Sequence, residues 1–508
     1  MIAWAARQLR RPVRWISGRV EAFLSDIHAR DQTAACTLAL DAEGRFLALR
    51  VESVANLGAY LSTFAAMIPS EGAAKIASGP YRIPAIHMRV KGVFTNTVPV
   101  DAYRGAGKPE MAFLLERLVD LAAAETGRDR FALRRLNMIS ASEMPYTTPL
   151  GVTYDSGDFG RLLNVALAES DAGGFEERRR CAKGRRRLRG FGISCYLHIT
   201  GGFARERSVV RVASEGHVLA LTGTQSNGHG HETSFAHIVA GVLELPLDRL
   251  RVRQGDTAAL PSGGGTGGSS STIIAANALQ LAAVALVERA HKLASFALEA
   301  SAEDIVYRAG TFTIVGTDRH MGLFDLARRA ETDASLPTEL QGPLQGEGDF
   351  KHTVVSCPSG VIACEVEIDP ETGAVTVDKI VSAQDIGRVI TPALVDGQVH
   401  GGIAQSLGQA LIEHLRYDPQ SGRLLTASYN SYALPRAMDV PFIASHTLQT
   451  LSPNNALGIK GVGEIPTIGT PPAIMNAVVD ALASLGVRHL DMPATAENVW
   501  RAIRAARG

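Results

Sequence analysis

Alternating apolar and polar positions are the first pattern along this chain. Residues 32–56 alternate in two runs separated by the turn-forming pair Glu43-Gly44. Because neighbouring side chains point to opposite faces of a strand, this period of two predicts a β-hairpin. The alternation returns in residues 361–387 around a turn at 370–373, which predicts a second hairpin. Strands are also predicted at 190–199 and 208–222.

Apolar positions three and four residues apart predict helices between these strands. The clearest pattern begins at Pro109, where the fixed φ of proline suits a first helical turn, and it ends at Gly127. An opening helix is predicted before Arg14. Helices and strands mix without a strict β-α-β repeat, so the predicted fold class is α+β, with two mixed helix-and-sheet domains. The other helices are predicted at about 231–243, 271–300, 395–414 and 471–486.

The length of the chain predicts more than one domain. A single hydrophobic core rarely serves 508 residues. Turn-forming residues are concentrated at 141–160, and a basic tract follows at 178–189. We interpret this tract as a solvated connector rather than an anion site, because aromatic residues are not interleaved with it. The predicted division is a first domain at 1–140, a linker at 141–165 and a second domain at 166–508.

Composition narrows the classes of partner. Lysine plus arginine and aspartate plus glutamate both total 51, so no global field favours nucleic acid, and a small-molecule substrate is expected instead. The five cysteines are never spaced as CxxC, which argues against a disulfide framework, a zinc ribbon or an iron-sulfur domain and favours the cytoplasm. No apolar run reaches the length that a bilayer requires, so no membrane span is predicted.

Five glycine-rich segments lie at or just before predicted helices. A helix start carries free N–H groups and a partial positive charge, and glycine allows close approach of the backbone, so several such segments together would bind a large anionic ligand. For any one segment, a simple turn is the better interpretation in a chain with 50 glycines. The number of segments favours a ligand. They are 104–110, 228–232, 263–272, 397–402 and 461–464.

Two other kinds of site compete with an anion site. Residues 263–268 fit GxGxxG, so a nicotinamide-dependent oxidoreductase is an alternative, although eight residues separate this run from the preceding predicted strand. His231 and His237 are six residues apart, not the four of a zinc-protease helix. His237 is expected to pack near Ile238, whereas His229 and His231, flanked by glycines, are candidates for hydrogen bonds to a ligand.

Glu464 is the candidate general base. It lies between Val462-Gly463 and Ile465-Pro466, in an apolar turn before the helix predicted to start near Pro471. Desolvation in such a setting is expected to raise the pKa of a carboxyl group toward neutrality, where the group can accept a proton during catalysis.

Seven blocks of the chain, taken in order, form a recognisable series of motifs. The blocks are VPVDAYRGAGKPE (98–110), MPYTTPLGVTYDSGDF (144–159), GTQSNGHGHETSFAHIVA (223–240), GDTAALPSGGGTGGSSST (255–272), GQVHGGIAQSLGQAL (397–411), SYALPRAMDVP (431–441) and GVGEIPTIGTPPAIMNAVVDAL (461–482). They resemble one family, the molybdopterin-binding large subunits of molybdenum hydroxylases such as xanthine dehydrogenase, aldehyde oxidase and aerobic carbon monoxide dehydrogenase. The resemblance covers nearly the whole chain.

The resemblance implies a molybdenum-molybdopterin cofactor, often a cytosine dinucleotide, that is bound through its pterin and phosphates while no side chain ligates the metal. Glu464 matches the base that activates water for hydroxylation of carbon, and Arg104 matches an arginine that orients substrate and stabilises negative charge. The residues predicted to bind the cofactor are Gly105, Ala106, Gly228, His229, Gly230, Gly267, Gly268, Ser269, Ser271, Gln405 and Gly463.

Three departures from the family pattern affect these expectations. Carbon monoxide-oxidising members carry a copper-binding cysteine where this chain has Gly105, so an aldehyde or an N-heterocycle is the expected substrate. His229 stands where the family has a cofactor-binding glutamine. A GGxFGGK block expected upstream of residues 3–19 does not occur, which implies an amino-terminally incomplete subunit whose missing part a separate chain would supply.

The resemblance also implies partner subunits. An iron-sulfur subunit with [2Fe–2S] clusters and an FAD subunit would accept the two electrons, because nothing in this chain is suited to carry them. A noncatalytic remnant or assembly component is the alternative, and the metal content of the purified protein would distinguish it from an enzyme.

Overall fold

The structure is a computed structural model that describes residues 1–213, 215–260 and 262–507. It confirms the mixed helix-and-sheet class. The helices are α1 Ile2–Leu9, α2 Arg19–Ser25, α3 Lys108–Thr126, α4 Arg130–Asn137, α5 Phe159–Glu169, α6 Phe175–Gly184, α7 His231–Leu243, α8 Ser271–Leu298, α9 Leu323–Thr332, α10 Pro392–Leu411, α11 Ile465–Leu482 and α12 Ala496–Ala506.

The strands form small, mostly antiparallel sheets. Their orders are β1-β2-β3, β4-β5, β10-β11-β12, β13-β7-β8-β9 and β16-β15-β14-β6. The strands are β1 Gln32–Leu40, β2 Phe46–Gly58, β3 Ala85–Phe94, β4 Tyr146–Thr147, β5 Thr153–Tyr154, β6 Leu188–Leu197, β7 Arg205–Val212, β8 Val218–Thr222, β9 Leu250–Gln254, β10 Ile305–Arg308, β11 Thr311–Ile314, β12 His320–Gly322, β13 Gln345–Lys351, β14 Ser359–Ile368, β15 Val375–Asp385 and β16 Ile443–Leu448.

Both predicted hairpins are confirmed. Strands β1 and β2 pair antiparallel around the turn that contains Gly44, whose φ of +91° suits glycine. Strands β14 and β15 pair antiparallel around the predicted second turn, in which Gly373 has a φ of +73°. In both cases the period of two and the turn residues specify the same local structure, so tertiary contacts were not needed to predict it.

Two large hydrophobic cores organise the described part of the chain. The first surrounds the sheet β16-β15-β14-β6, on which α5 and α11 pack, with α3 and α10 beside α11. Its buried residues run from Phe46 to Ile503 and include Tyr154 and Phe159 of the predicted linker. The second core lies between the sheet β13-β7-β8-β9 and helices α7, α8 and α9. The division at 141–165 stays a prediction.

The strand before the GxGxxG run does not belong to a doubly wound sheet. Strand β9 is an edge strand, and its parallel partner β8 is its one neighbour in the sheet. A dinucleotide-binding fold needs a series of parallel strands on which the fingerprint loop is centred. This topology does not favour the nicotinamide alternative.

The start of one predicted helix needs correction. The last long helix begins at Ile465, six residues before the predicted start near Pro471, and it contains Pro471 and Pro472 in its interior. Pro466, at the first turn, is the proline whose ring suits a helix start. The glycine segment 397–402 lies inside α10, as it lay inside the helix predicted at about 395–414.

The basic tract is ion-paired rather than freely solvated, which corrects the prediction. The buried carboxylate of Glu365 on β14 accepts hydrogen bonds from Arg178, at 3.0 Å, and from Arg189. Arg185 pairs with Glu367 at 2.6 Å. These contacts fasten α6 and the start of β6 to β14.

Two helices are long and apolar enough to cross a membrane, Ser271–Leu298 and Ile465–Leu485. Within their most apolar windows, 61% and 78% of the residues are buried inside the protein. Both helices pack in the cores described above, which accounts for their apolar composition.

Candidate active site

Strand β6 lies along helix α11 and sets the position of the helix start. A Cβ atom on Gly192 of this strand would lie 2.0 Å from a carbonyl oxygen of the helix. Farther along the same face, the Tyr196 ring occupies the space that a side chain on Gly469 would need. Glycine on both elements therefore allows a close approach. His198, two residues after Tyr196, reaches Glu464 at the amino terminus of α11.

The Glu464 carboxylate is held by groups from three other parts of the chain. Its Oε1 accepts a hydrogen bond of 3.0 Å from the Gly105 N–H, and its Oε2 accepts one of 2.8 Å from the Ser269 hydroxyl. Nε2 of the fully buried His198 lies 3.2 Å from Oε2. Only 13% of the Glu464 side chain is exposed. Residues that are distant in sequence thus converge on one carboxylate.

These partners reverse the predicted shift of the Glu464 pKa. Burial alone would raise this pKa, as expected from the sequence, but His198, Lys108 and the Ser269 hydroxyl outweigh burial and hold it well below the ordinary value. Burial also lowers the pKa of His198, so the imidazole is neutral near pH 7, with its Nε2 3.2 Å from the carboxylate. Glu464 is therefore an ionised acceptor for a proton at neutral pH.

Arg104 connects the loops around this carboxylate. Its Nε donates to the Gly463 carbonyl at 2.5 Å, and its Nη2 donates to the Gln398 side chain at 2.8 Å. Its Nη1 donates to Oε1 of Gln405 at 3.2 Å. Burial lowers the pKa of Arg104, whereas the charge of Glu464 raises it. Most of the guanidinium donors are already paired within the chain, so Arg104 fixes the loops as well as supplying charge.

Four helix starts surround the site. The Gly105 bond to Glu464 joins the start of α3 to that of α11, and the Ser269 bond joins the start of α8 to the same carboxylate. In the described part of the chain, none of the four N-cap residues makes a side-chain capping bond within its helix. These N-caps are Gly107 of α3, Gly230 of α7, Ser270 of α8 and Glu464 of α11.

The His229 loop adjoins the Arg104 cluster. Burial lowers the pKa of His229, and the positive charge of Arg104 lowers it further. The His229 ring stacks on His231, with ring centroids 5.1 Å apart, and burial lowers the pKa of His231 to about 4. His237 is exposed on α7, so the expectation that it packs in the core with Ile238 was wrong. Within residues 1–213, 215–260 and 262–507, no group of three or more His, Cys, Asp or Glu side chains is placed to hold a metal ion.

Gly402, inside α10, packs against α11. A Cβ atom on Gly402 would lie 2.8 Å from the Pro466 ring and 3.5 Å from the Arg104 guanidinium carbon, whereas one on Gly397 or Gly401 would meet nothing within 4 Å. Gly402 therefore serves helix packing, and the same helix brings Gln398 to Arg104.

The residues predicted to bind the cofactor fall into two groups. The residues of the first group lie against Glu464, Arg104 or His198. They are Gly105, Gly268, Ser269, Gln405 and Gly463. The second group lies in the adjoining loops and at the start of α8. Its members are Ala106, Gly228, His229, Gly230, Gly267 and Ser271.

The sequence prediction missed His198, Lys108 and Gln398. His198 follows a strand and lies in no glycine loop, so motif reasoning passed over it. A signal was present, because the alternation Gly190, Gly192 marks a face of β6 that approaches another element, and His198 continues that face.

The backbone on one side of the site is open to a ligand. A Cβ atom on Gly228, Gly265 or Gly267 would meet nothing within 4 Å. The N–H groups of Gly228 and Gly267 donate to no acceptor among the described residues. Open glycine backbone next to uncapped helix starts suits an anionic group with phosphates, so these residues fit a pterin cofactor.

Comparison with known proteins agrees with this arrangement. Two family models, each described as a molybdopterin cofactor-binding domain, match residues 1–138 and 165–441. The protein therefore belongs to the class of molybdopterin-binding proteins. Together with the relatives described next, these matches show that the chain belongs to the family of molybdenum hydroxylase large subunits.

Two curated relatives and one solved structure illustrate the similarity. The chain is 35% identical over 504 residues to the 6-hydroxypseudooxynicotine dehydrogenase complex subunit gamma of Paenarthrobacter nicotinovorans, covering 98% of this chain and 63% of that protein. It is 34% identical over 513 residues to the carbon monoxide dehydrogenase large chain of Hydrogenophaga pseudoflava, covering 98% and 64%. The crystal structure of quinoline 2-oxidoreductase from Pseudomonas putida 86 matches with a TM-score of 0.91 and 34% identity, covering 99% of this chain and 66% of that one. The chain thus spans less than two thirds of the length of these proteins.

Proposed function

We propose that this chain is the cofactor-binding, catalytic part of an oxidoreductase that hydroxylates an aldehyde or an N-heterocycle with water as the oxygen source. The observation that carries the proposal is a buried carboxylate, Glu464, at the meeting point of uncapped helix starts and open glycine loops. When bound, the molybdenum cofactor supplies two-electron oxidation and Lewis acidity that activates water.

Within this proposal, Glu464 accepts the proton that water loses. The Gly105 N–H and the Ser269 hydroxyl orient the carboxylate, and burial keeps bulk water from competing for it. Arg104 keeps its positive charge and lies on the same side of the site, bonded to the carbonyl of Gly463. A fixed cation there stabilises negative charge that develops during the reaction.

The glycine loops would hold the cofactor. Gly228 and Gly267 offer N–H groups to phosphates, and the starts of α7 and α8 add the partial positive charge of their helices. Several separate loops suit a ligand longer than a pterin alone, so we propose the cytosine dinucleotide form. Release of the nucleotide from purified protein and its chromatographic identification would test that form.

The substrate class follows from one position and from the names of relatives. Gly105 stands directly after Arg104, in place of the copper-binding cysteine of carbon monoxide-oxidising members. Two similar proteins are named for 6-hydroxypseudooxynicotine and for quinoline. We therefore propose oxidation of an aldehyde or an N-heterocycle rather than of carbon monoxide.

We further propose that the chain works with an iron-sulfur subunit and an FAD subunit, in the cytoplasm. The relatives are named as a complex subunit and a large chain, which supports a multi-subunit assembly. Purification of the natural complex and identification of its chains and cofactors would test this proposal.

Glu464→Gln tests the catalytic proposal. We expect the variant to retain bound molybdenum but to lose turnover of aldehydes and N-heterocycles by about 10²–10⁴-fold, because the amide cannot accept the proton. The measurement is kcat for a panel of both substrate classes, with metal content determined on the same preparation.

Glu413→Gln is the matched control. Glu413 is also partly buried, and its Oε2 accepts a 2.7 Å hydrogen bond from the Tyr432 hydroxyl, but it lies outside the site. We expect its turnover to match the wild type. Unchanged turnover in Glu464→Gln, or a wild-type protein without molybdenum, would contradict the proposal.

A further inference from the structure

His198 is a buried polar side chain with one charged neighbour in contact. Its side chain is fully buried, and its backbone N–H donates to the Pro358 carbonyl at 2.8 Å, which fixes the residue beside β14. Nε2 lies 3.2 Å from Oε2 of Glu464. Among the described residues, neither ring nitrogen has a partner with full hydrogen-bond geometry. Buried polar groups are almost always paired in native proteins, so the carboxylate, 3.2 Å away, is the natural partner of this ring.

The tautomer of the imidazole decides what His198 does. A neutral ring carries one N–H, and the Gly268 carbonyl is a second acceptor near the ring. If the N–H were on Nδ1, the lone pair of Nε2 would face an ionised carboxylate at hydrogen-bonding distance. If the N–H is on Nε2, the carboxylate gains a donor. The second arrangement is favoured wherever Glu464 is ionised.

The charged groups around the pair favour an ionised carboxylate and a neutral ring. Lys108 on α3 and the arginines Arg104 and Arg30 all lie close enough to Glu464 to interact with its charge. Lys108 also disfavours a positive charge on His198, and burial disfavours that charge further. Glu110, which pairs with Arg30 at 3.8 Å, is the second carboxylate in this group. Three cations therefore balance two carboxylates, so the ring has no need to be protonated.

We propose that His198 is a positioning residue for Glu464, donating its Nε2–H to Oε2 and so holding the carboxylate ionised and oriented for proton transfer. The contact is inferred from the 3.2 Å distance and from the burial of an otherwise unpartnered ring. Its catalytic meaning rests on the proposed function, in which Glu464 is the base. Together with Gly105 and Ser269, His198 completes a set of three donors on the carboxylate.

The first test measures the tautomer in the full chain. Nitrogen-15 labelling of histidine and NMR should show one imidazole with a protonated Nε2, an unprotonated Nδ1 and a proton resonance shifted downfield. That signal should be absent in His198→Gln and should lose its downfield shift in Glu464→Gln. A His198 ring protonated on Nδ1, or unaffected by Glu464→Gln, would overturn the proposal.

The second test compares two variants. His198→Phe keeps an aromatic ring but removes the N–H donor, whereas His198→Gln keeps an N–H near the position of Nε2. Infrared titration, with Glu464→Gln subtracted to assign the carboxyl band, should place the pKa of Glu464 about one unit or more higher in His198→Phe than in wild type or His198→Gln. The acidic limb of kcat/KM should move in the same direction. Identical titration in all three proteins overturns the proposal.

The two proposals can fail separately. If Glu464→Gln keeps full turnover while NMR shows the Nε2–H contact, the proposed function fails and the contact stands. If Glu464→Gln is inactive while NMR places the proton on Nδ1, the function stands and the positioning role fails. Where His198→Phe does not fold, the NMR comparison of wild type with Glu464→Gln still decides the contact.

Discussion

Two sides of the site differ in how far their hydrogen-bonding groups are already paired. On the carboxylate side, formed by Glu464 and its partners Gly105, Ser269 and His198, the polar groups meet one another at 2.8–3.2 Å. On the glycine side, formed by Gly228, Gly265 and Gly267, the backbone faces open space, and the N–H groups of Gly228 and Gly267 donate to no acceptor among the described residues.

The difference separates two tasks. A group that moves a proton must keep one geometry, and packing against β6 and α3 supplies that rigidity before any ligand binds. A surface that accepts a large anion must leave its donors free until the anion arrives. The carboxylate side is therefore stabilised by the fold itself, whereas the glycine side depends on the ligand for its partners. Substitutions on the two sides should accordingly have different effects.

The largest effect on stability is expected at Gly192, because the carboxylate side depends on the close packing of β6 against α11. Gly192→Ala would place a Cβ atom 2.0 Å from a backbone carbonyl of α11, so strand and helix must separate. We expect a loss of about 3 kcal/mol or more in the free energy of unfolding, because neither backbone can give way cheaply. Denaturant unfolding measures it. Gly241→Ala on α7, where a Cβ atom would meet nothing within 4 Å, is the control and should leave stability unchanged or raise it by up to about 1 kcal/mol, since alanine is the better helix former.

A smaller and different effect is expected on the glycine side. Gly267→Val adds a side chain where nothing in the chain lies within 4 Å, so the free energy of unfolding should stay near that of the wild type. Molybdenum content should fall about ten-fold, since the added bulk competes with the ligand for the same space. Metal analysis and denaturant unfolding on one preparation give both numbers. A variant that loses stability but keeps molybdenum would remove the distinction between the two sides.

The smallest effect is expected from one donor on the carboxylate side. Ser269→Ala removes the 2.8 Å hydrogen bond to Oε2, so the pKa of Glu464 should rise toward its ordinary value of 4.5. A carboxyl group whose pKa is depressed in the folded state stabilises the fold above that ordinary value, and this contribution is lost as the pH falls.

The pH dependence of stability gives the corresponding measurement. The stability deficit of Ser269→Ala relative to wild type should be largest near neutral pH and should shrink as the pH falls below about 4.5. Urea unfolding at a series of pH values tests this. A deficit that is constant with pH would mean that Ser269 acts through packing and not through the charge of Glu464.

Local sequence patterns predicted much of the fold. The turn residue Gly44 and the alternation around it specified the first hairpin, and Pro109 and Gly127 bounded α3 to within a residue. The predicted start of α11 was wrong because prolines such as Pro471 and Pro472 are typical of a first helical turn. Burial of nearly every residue of α11 instead stabilises a longer helix that contains both prolines. Residue 464 is consequently a helix N-cap and not part of a preceding turn.

The sequence by itself determined the family, the candidate base Glu464 and the glycine segments, because these are carried by residue type and spacing. The tertiary structure alone decided the ionisation of that base. A pKa depends on which distant groups surround a carboxylate, and His198, Lys108 and Ser269 come to Glu464 from three different elements. Burial could be inferred from neighbouring residues, but the donors that outweigh it could not, since their distances are set by the packing of β6, α3 and α8 around α11.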